Sequence, residues 1–144
     1  MNPSNALSRL AATEAVICDL DGTLYLDGLP LPGAHDFLRA VLDSGRQLFY
    51  FTNNTSRSRR SYIEKLGRIR FPVCAEQIIT AADCTFTYLR HHHLGPAIYL
   101  IGNNDLKREF EEAGFACWDE ERCSRELPQA VVLGFDTELT YAKI

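Results

Sequence analysis

Two short runs carry residue types that together suit phosphoryl transfer: Asp19-Leu20-Asp21-Gly22-Thr23-Leu24 and Thr52-Asn53-Asn54. Residues two apart on an extended segment point the same way, so Asp19 and Asp21 project into one space. Carboxylates paired like this can divide labour. One attacks phosphorus and becomes an aspartyl phosphate. The other protonates the leaving oxygen and then activates water, typically worth ~10²–10⁴-fold. Gly22 lets the backbone turn and approach a ligand closely. The Thr52 hydroxyl and the N–H groups of Asn53 and Asn54, which lead into a helix, can hold phosphate oxygens with help from the helix dipole. Asp19 and Asp21 also supply the oxygen donors that magnesium (Mg2+) favours, and the ion would screen Asp19 from an anionic substrate.

Both runs need strands behind them. Ala15–Leu20 is a nearly unbroken apolar run, which predicts a strand buried on both faces, as in a parallel sheet. Gln47–Thr52 reads the same way. In open α/β sheets ligands bind beyond the carboxyl ends of the strands, where both runs fall. Residues 25–33 are rich in turn formers and read as a loop. Ala34–Ser44 has helical spacing and stops at Gly45. A second helix is expected from the Asn53–Ser56 caps to about Gly67. Strands are expected over Ile78–Thr80, Ala97–Ile101 and Ala130–Phe135. Helices are expected over residues 3–12, Ala81–His91 and Asp105–Ala113, with a helical start at Thr140–Ile144. Strands alternating with helices predict an α/β fold with a mostly parallel sheet.

The 144 residues are 46% hydrophobic and 24% charged, ordinary for a globular protein, and the net charge of −4 is too mild to imply a nucleic-acid partner. Residues 1–72 carry nine Lys/Arg against seven Asp/Glu; residues 73–144 carry six against twelve. That shift fits two structural units. Five irregularly spaced cysteines read as thiols in a reducing compartment. No apolar stretch is long enough for a membrane span and no signal-peptide pattern opens the chain, so a soluble cytoplasmic protein is expected. His91-His92-His93 reads as a solvated helix end, because consecutive helical residues point in different directions. Arg57, Arg59 and Arg60, and likewise Glu109, Glu111 and Glu112, read as exposed helix faces. Trp118 reads as packing.

These motifs resemble the haloacid dehalogenase (HAD) superfamily, and within it the NagD-like, p-nitrophenyl phosphatase branch. Asp19–Leu24 is similar to the first motif and Thr52–Asn54 to the second. Leu31-Pro32-Gly33-Ala34, Ser56-Arg57, Tyr99–Gly102, Val131–Asp136 and Leu139-Thr140-Tyr141 also resemble this branch. The resemblance implies a HAD-like Rossmannoid parallel sheet, here a partial core over residues 1–80, with the start of an inserted α/β cap over residues 81–144. It implies that Asp19 is the nucleophile and a magnesium ligand. Asp21 would be the general acid/base and bind the metal through its backbone carbonyl. Thr52 would bind the transferring phosphoryl group, Asn53 would help orient the substrate, and the substrate would be a small phosphorylated metabolite.

The branch also carries a lysine after the cap and a late acidic motif, and neither is found here: after Lys107 the one lysine is Lys143. The expectation is therefore an N-terminal fragment of a longer phosphatase, inactive alone, or a chain whose missing half is supplied in trans or was lost. The alternative is a non-catalytic half-fold serving dimerisation or partner binding. In either case Ala15–Leu20 is expected on a sheet edge, where an apolar strand invites pairing with another chain, such as a homodimer partner.

Overall fold

The structure, a computed structural model, describes residues 11–143. Ala11 is helical, and the rest of the helix expected over residues 3–12 lies outside the described residues, apart from Ala12, which is in a turn.

The strands are β1 (Ala15–Asp19), β2 (Tyr25–Leu26), β3 (Leu29–Pro30), β4 (Gln47–Thr52), β5 (Ile78–Thr80), β6 (Ala97–Ile101), β7 (Ala116–Trp118) and β8 (Ala130–Leu133). The helices are α1 (Ala34–Asp43), α2 (Arg59–Arg68), α3 (Ala81–His91), α4 (Asn104–Glu112) and the single turn α5 (Glu120–Cys123). The α/β alternation expected from the sequence is present. One sheet has the order β1-β4-β5, with β1 and β4 parallel, and another has the order β7-β6-β8, parallel throughout.

The chain forms two compact units. One runs to Phe51 and resumes over Ile63–Ile78; the other comprises Thr52–Tyr62 and Ile79–Ile144. The second unit thus takes a stretch from the middle of the first half, interrupting β4 at its last residue and α2 at its fourth.

In the first unit Cys18, Leu38, Leu48, Tyr50 and Leu66 are buried, so β1, α1, β4 and α2 each contribute inward residues. β1 ends its sheet on one side, as expected. It is not buried on both faces, however: Ile17 is 65% exposed, while Cys18 and Leu20 are inside. An unbroken apolar run shows that a strand can be covered on both faces; whether it is depends on its neighbours.

The stretch expected as a plain loop over residues 25–33 contains the hairpin β2–β3, in which Leu26 pairs with Leu29. Asp27 and Gly28 both have positive φ, 50° and 79°. That is the conformation a two-residue type I′ turn requires, and Asp-Gly is among its preferred sequences.

In the second unit Ala82, Phe86 and Leu89 of α3 meet Ile98 of β6, Leu106 and Phe110 of α4, and Phe115. Thr80 starts α3 with a capping box: its hydroxyl accepts the Asp83 N–H, and its own N–H donates to the Asp83 carboxylate. β7 and α5 are elements the sequence does not announce. At three and four residues they are too short for a periodic signal. Among the described residues, no helix is long and apolar enough to cross a membrane.

Candidate active site

β1 delivers Asp19 at its carboxyl end, and the chain then turns sharply. Gly22 has φ 85°, which an L side chain rarely adopts, and its N–H donates to the Tyr25 carbonyl at 2.8 Å. The turn thereby keeps both carboxylates at the strand end. Asp19 is exposed, and its Oδ2 accepts a 2.8 Å hydrogen bond from the Thr23 hydroxyl. Asp21 is also exposed, and its Oδ1 lies 3.2 Å from Lys65 Nζ, which reaches over from α2. Thr23 and Lys65 were not assigned a role from the sequence. Thr23 lies inside the first motif, four residues after Asp19. Lys65 is 44 residues from Asp21, so no local pattern links them.

β1 and β4 run parallel in register, Asp19 opposite Phe51, and Thr52 is the next residue along β4. Thr52 is buried; its hydroxyl donates to Tyr62 Oη and accepts the Asn54 N–H, both at 3.2 Å. Asn53 is exposed. The Asn54 carboxamide oxygen accepts both the Ser56 N–H (2.9 Å) and the Ser56 hydroxyl (2.7 Å). Such a side-chain-to-backbone turn competes with helix formation. It explains why α2 starts at Arg59 and not directly after the asparagines.

This loop is anchored by distant parts of its own unit. Asn103, only 8% exposed, caps α4 by accepting the Leu106 N–H at 3.0 Å and donates through Nδ2 to the Ser56 carbonyl at 2.8 Å. The Thr55 hydroxyl accepts the Phe135 N–H at 2.6 Å. Losing a helix cap costs about 1 kcal/mol, and leaving the half-buried Ser56 carbonyl unpaired costs about 1–2 kcal/mol more. Asn103→Ala is therefore expected to lower stability by about 2–3 kcal/mol in urea melts. A loss below about 0.5 kcal/mol would show that the bridge carries no load.

One residue on each of two charged faces expected to be solvated is half-buried instead. Arg59 is half-buried, its guanidinium pairs with Asp83, and its backbone N–H donates to Glu109 Oε1 at 3.0 Å. Glu109 is half-buried too, whereas Glu111, Glu112, Arg57 and Arg60 are exposed as expected. Burial raises the Glu109 carboxyl above the ordinary range; the Arg59 N–H opposes this only in part, and the nearby Asp83 charge adds to it. Burial also pushes Asp83 up, but the hydrogen bonds from Arg59 and Thr80 and the Arg59 charge outweigh it and hold the carboxyl low.

The two acids therefore act on stability with opposite sign. Asp83, lowered on folding, stabilises above the ordinary carboxylate range and loses that contribution as pH falls through its folded value. Glu109, raised on folding, costs stability at neutral pH, and the cost disappears as it protonates. Asp83→Asn is expected to lower Tm at pH 7, by a margin that shrinks towards about pH 4, whereas Glu109→Gln raises Tm at pH 7. Melting curves across that range check both, and equal shifts for the two variants would be inconsistent with this assignment.

The three histidines at the end of α3 are exposed, and no group of three or more His, Cys, Asp or Glu side chains converges on one point among the described residues. Trp118 is half-buried, with the Arg122 guanidinium 4.0 Å from its ring centroid, a packing role.

Paired carboxylates on the turn after a parallel strand are what the ligand end of an open α/β sheet presents. Residues 16–116 match the haloacid dehalogenase-like hydrolase family, and the chain belongs to it. Human glycerol-3-phosphate phosphatase is 32% identical in an alignment covering all of this chain and 52% of that protein. Acid sugar phosphatase of Staphylococcus aureus is 29% identical over 91% of this chain and 49% of its own length. Among solved structures, 4-nitrophenylphosphatase from Thermotoga maritima superposes with a TM-score of 0.82 at 35% identity, over 93% of this chain and 49% of that one. NagD from E. coli K-12 gives 0.76 at 28% identity, over 91% and 50%. The chain spans about half the length of the relatives it matches.

Proposed function

We propose that the protein is a magnesium-dependent phosphomonoester hydrolase that works through an aspartyl phosphate on Asp19. The observation that carries this reading is the exposed Asp19 carboxylate at the carboxyl end of β1, held by the Thr23 hydroxyl. A carboxylate oxygen of Asp19 attacks phosphorus as the ester P–O bond breaks. Asp21 gives its proton to the departing oxygen. Asp21 then takes a proton from the water that attacks the aspartyl phosphate, releasing inorganic phosphate and restoring Asp19. Gly22, Thr52, Asn53 and Asn54 supply the close backbone approach and the donors for the phosphoryl oxygens.

The donor set suits magnesium: the Asp19 carboxylate and the Asp21 carbonyl are hard oxygens on one turn. With two protein donors, water and substrate oxygens would complete a near-octahedral shell. When bound, the ion screens the anionic ester from Asp19. The relatives are named for glycerol 3-phosphate, acid sugar and 4-nitrophenyl phosphatases, which supports a small phosphorylated metabolite as substrate. Within this reading residues 1–80 belong to the catalytic core and residues 81–144 to an inserted cap, and the protein works in the cytoplasm. A second reading, a non-catalytic module that pairs with a second copy, is favoured by exposed Ile17 on the β1 edge.

The test is beryllium fluoride with magnesium, followed by mapping of the adduct. Adduct on Asp19 together with p-nitrophenyl phosphate hydrolysis by the intact gene product supports the enzyme. Concentration-dependent dimerisation with no adduct supports the module.

A further inference from the structure

We propose that Lys65 is a positioning residue that holds Asp21 for proton transfer, an inference that rests on reading Asp21 as the acid/base. Lys65 Nζ lies 3.2 Å from Asp21 Oδ1 and 3.9 Å from the centroid of the Tyr25 ring. Both partners belong to the same turn: Asp21 and Tyr25 form a bridge, and the Tyr25 carbonyl accepts the Gly22 N–H at 2.8 Å. One ammonium therefore grips the turn at two points, by charge and by the face of a buried ring.

Lysine normally keeps its charge in water, yet this side chain is only 20% exposed. The helix that carries it is fixed, since its neighbours Tyr62 and Leu66 are fully buried. Asp21 is 42% exposed, so the pair contributes little to stability. What it can do is restrict the carboxylate. An exposed aspartate on a turn samples several rotamers, whereas proton transfer needs it within about 2.6–3.2 Å of the leaving oxygen. Lys65 keeps its own proton throughout; Asp21 gives one up as the ester P–O bond breaks.

A positioning role for an acid has a signature that a structural role lacks. p-Nitrophenolate leaves readily as an anion, whereas an alkoxide needs the proton. In the intact gene product, Lys65→Met is expected to lower kcat on an alkyl monophosphate about 10–100-fold, part of the roughly 10²–10⁴ that acid–base catalysis supplies. On p-nitrophenyl phosphate the loss is expected to stay within about threefold, because little protonation is needed there. KM should hold on both esters, and Lys65→Arg, which keeps the charge, should recover most of the rate. Carbodiimide treatment of the wild type should join Lys65 to Asp21 as an isopeptide with loss of one water.

Equal losses on both esters, no loss on either, or absence of the cross-link would overturn the proposal. The cross-link is read whether or not the methionine variant folds. Asp21→Asn separates the layers: if it hydrolyses the alkyl ester at the wild-type rate, the reading of Asp21 fails. If Asp21→Asn is impaired and Lys65→Met is not, only the role of Lys65 fails.

Discussion

In the intact gene product, Asp19→Asn is expected to abolish the proposed phosphate-ester turnover, with a loss of at least about 10³-fold, while the protein melts at the wild-type temperature. The substitution is nearly isosteric. The asparagine oxygen can still accept the Thr23 hydroxyl bond that Asp19 Oδ2 accepts at 2.8 Å. Position 19 is exposed, and such surface changes usually stay within about 0.5 kcal/mol. On the proposed mechanism, what disappears is the anionic oxygen that attacks phosphorus, and with it the covalent route. Two measurements check this: steady hydrolysis of p-nitrophenyl phosphate, and the phosphorylated or beryllofluoride-bearing peptide spanning residue 19. A variant that kept a few per cent of the rate would rule out Asp19 as the nucleophile.

The largest effect on stability is expected at Phe110. It is 1% exposed in the core of the second unit. Its ring meets Phe86 edge-on at 4.7 Å between centroids and Phe115 at 5.6 Å. Phe110→Ala removes the transfer energy of a buried aromatic and leaves a cavity between two rings, a loss of about 3–5 kcal/mol. Against a typical total of about 5–15 kcal/mol, that brings the protein close to unfolding at physiological temperature. Phe135, which is exposed, is the internal control: its alanine variant should melt within about 0.5 kcal/mol of wild type. Urea titrations followed by circular dichroism read both, and a loss below about 1 kcal/mol at Phe110 would mean that the cluster collapses freely around the gap.

Most of the scaffold can be read from local pattern because each element states its own limits. Thr80 both ends β5 and caps α3 through Asp83, and the run after it has helical periodicity up to His91, so the expected Ala81–His91 helix is found residue for residue. β4 and β6 likewise fall at the expected residues, Gln47–Thr52 and Ala97–Ile101, although exposed Phe51 shows that β4, like β1, is not buried on both faces. The β2–β3 hairpin was legible but misread. Asp27-Gly28 between two leucines is a hairpin signal, yet the prolines and glycines around it suggested plain loop.

What local pattern does not carry is pairing across long stretches of chain. Arg59 and Glu109 look like solvated charges in their own helices and become half-buried only because they meet across 50 positions. Lys65 and Asp21 are a similar case. Exposure at Ile17 depends on what packs over that face of the sheet, which the strand's own composition does not record.

The anchoring of the Thr52–Ser56 loop bears on how such proteins can be recombined. A chimaera joined at residues 80/81 looks modular on sequence grounds. The donor's segment would nevertheless replace Asn103 and Phe135, the two residues that hold Ser56 and Thr55 from outside the loop. A graft meant to exchange specificity alone would thus also loosen the grip on the loop. Grafts that keep Asn103 and the backbone geometry at Phe135 should be the ones that retain a rigid Thr52–Ser56 loop.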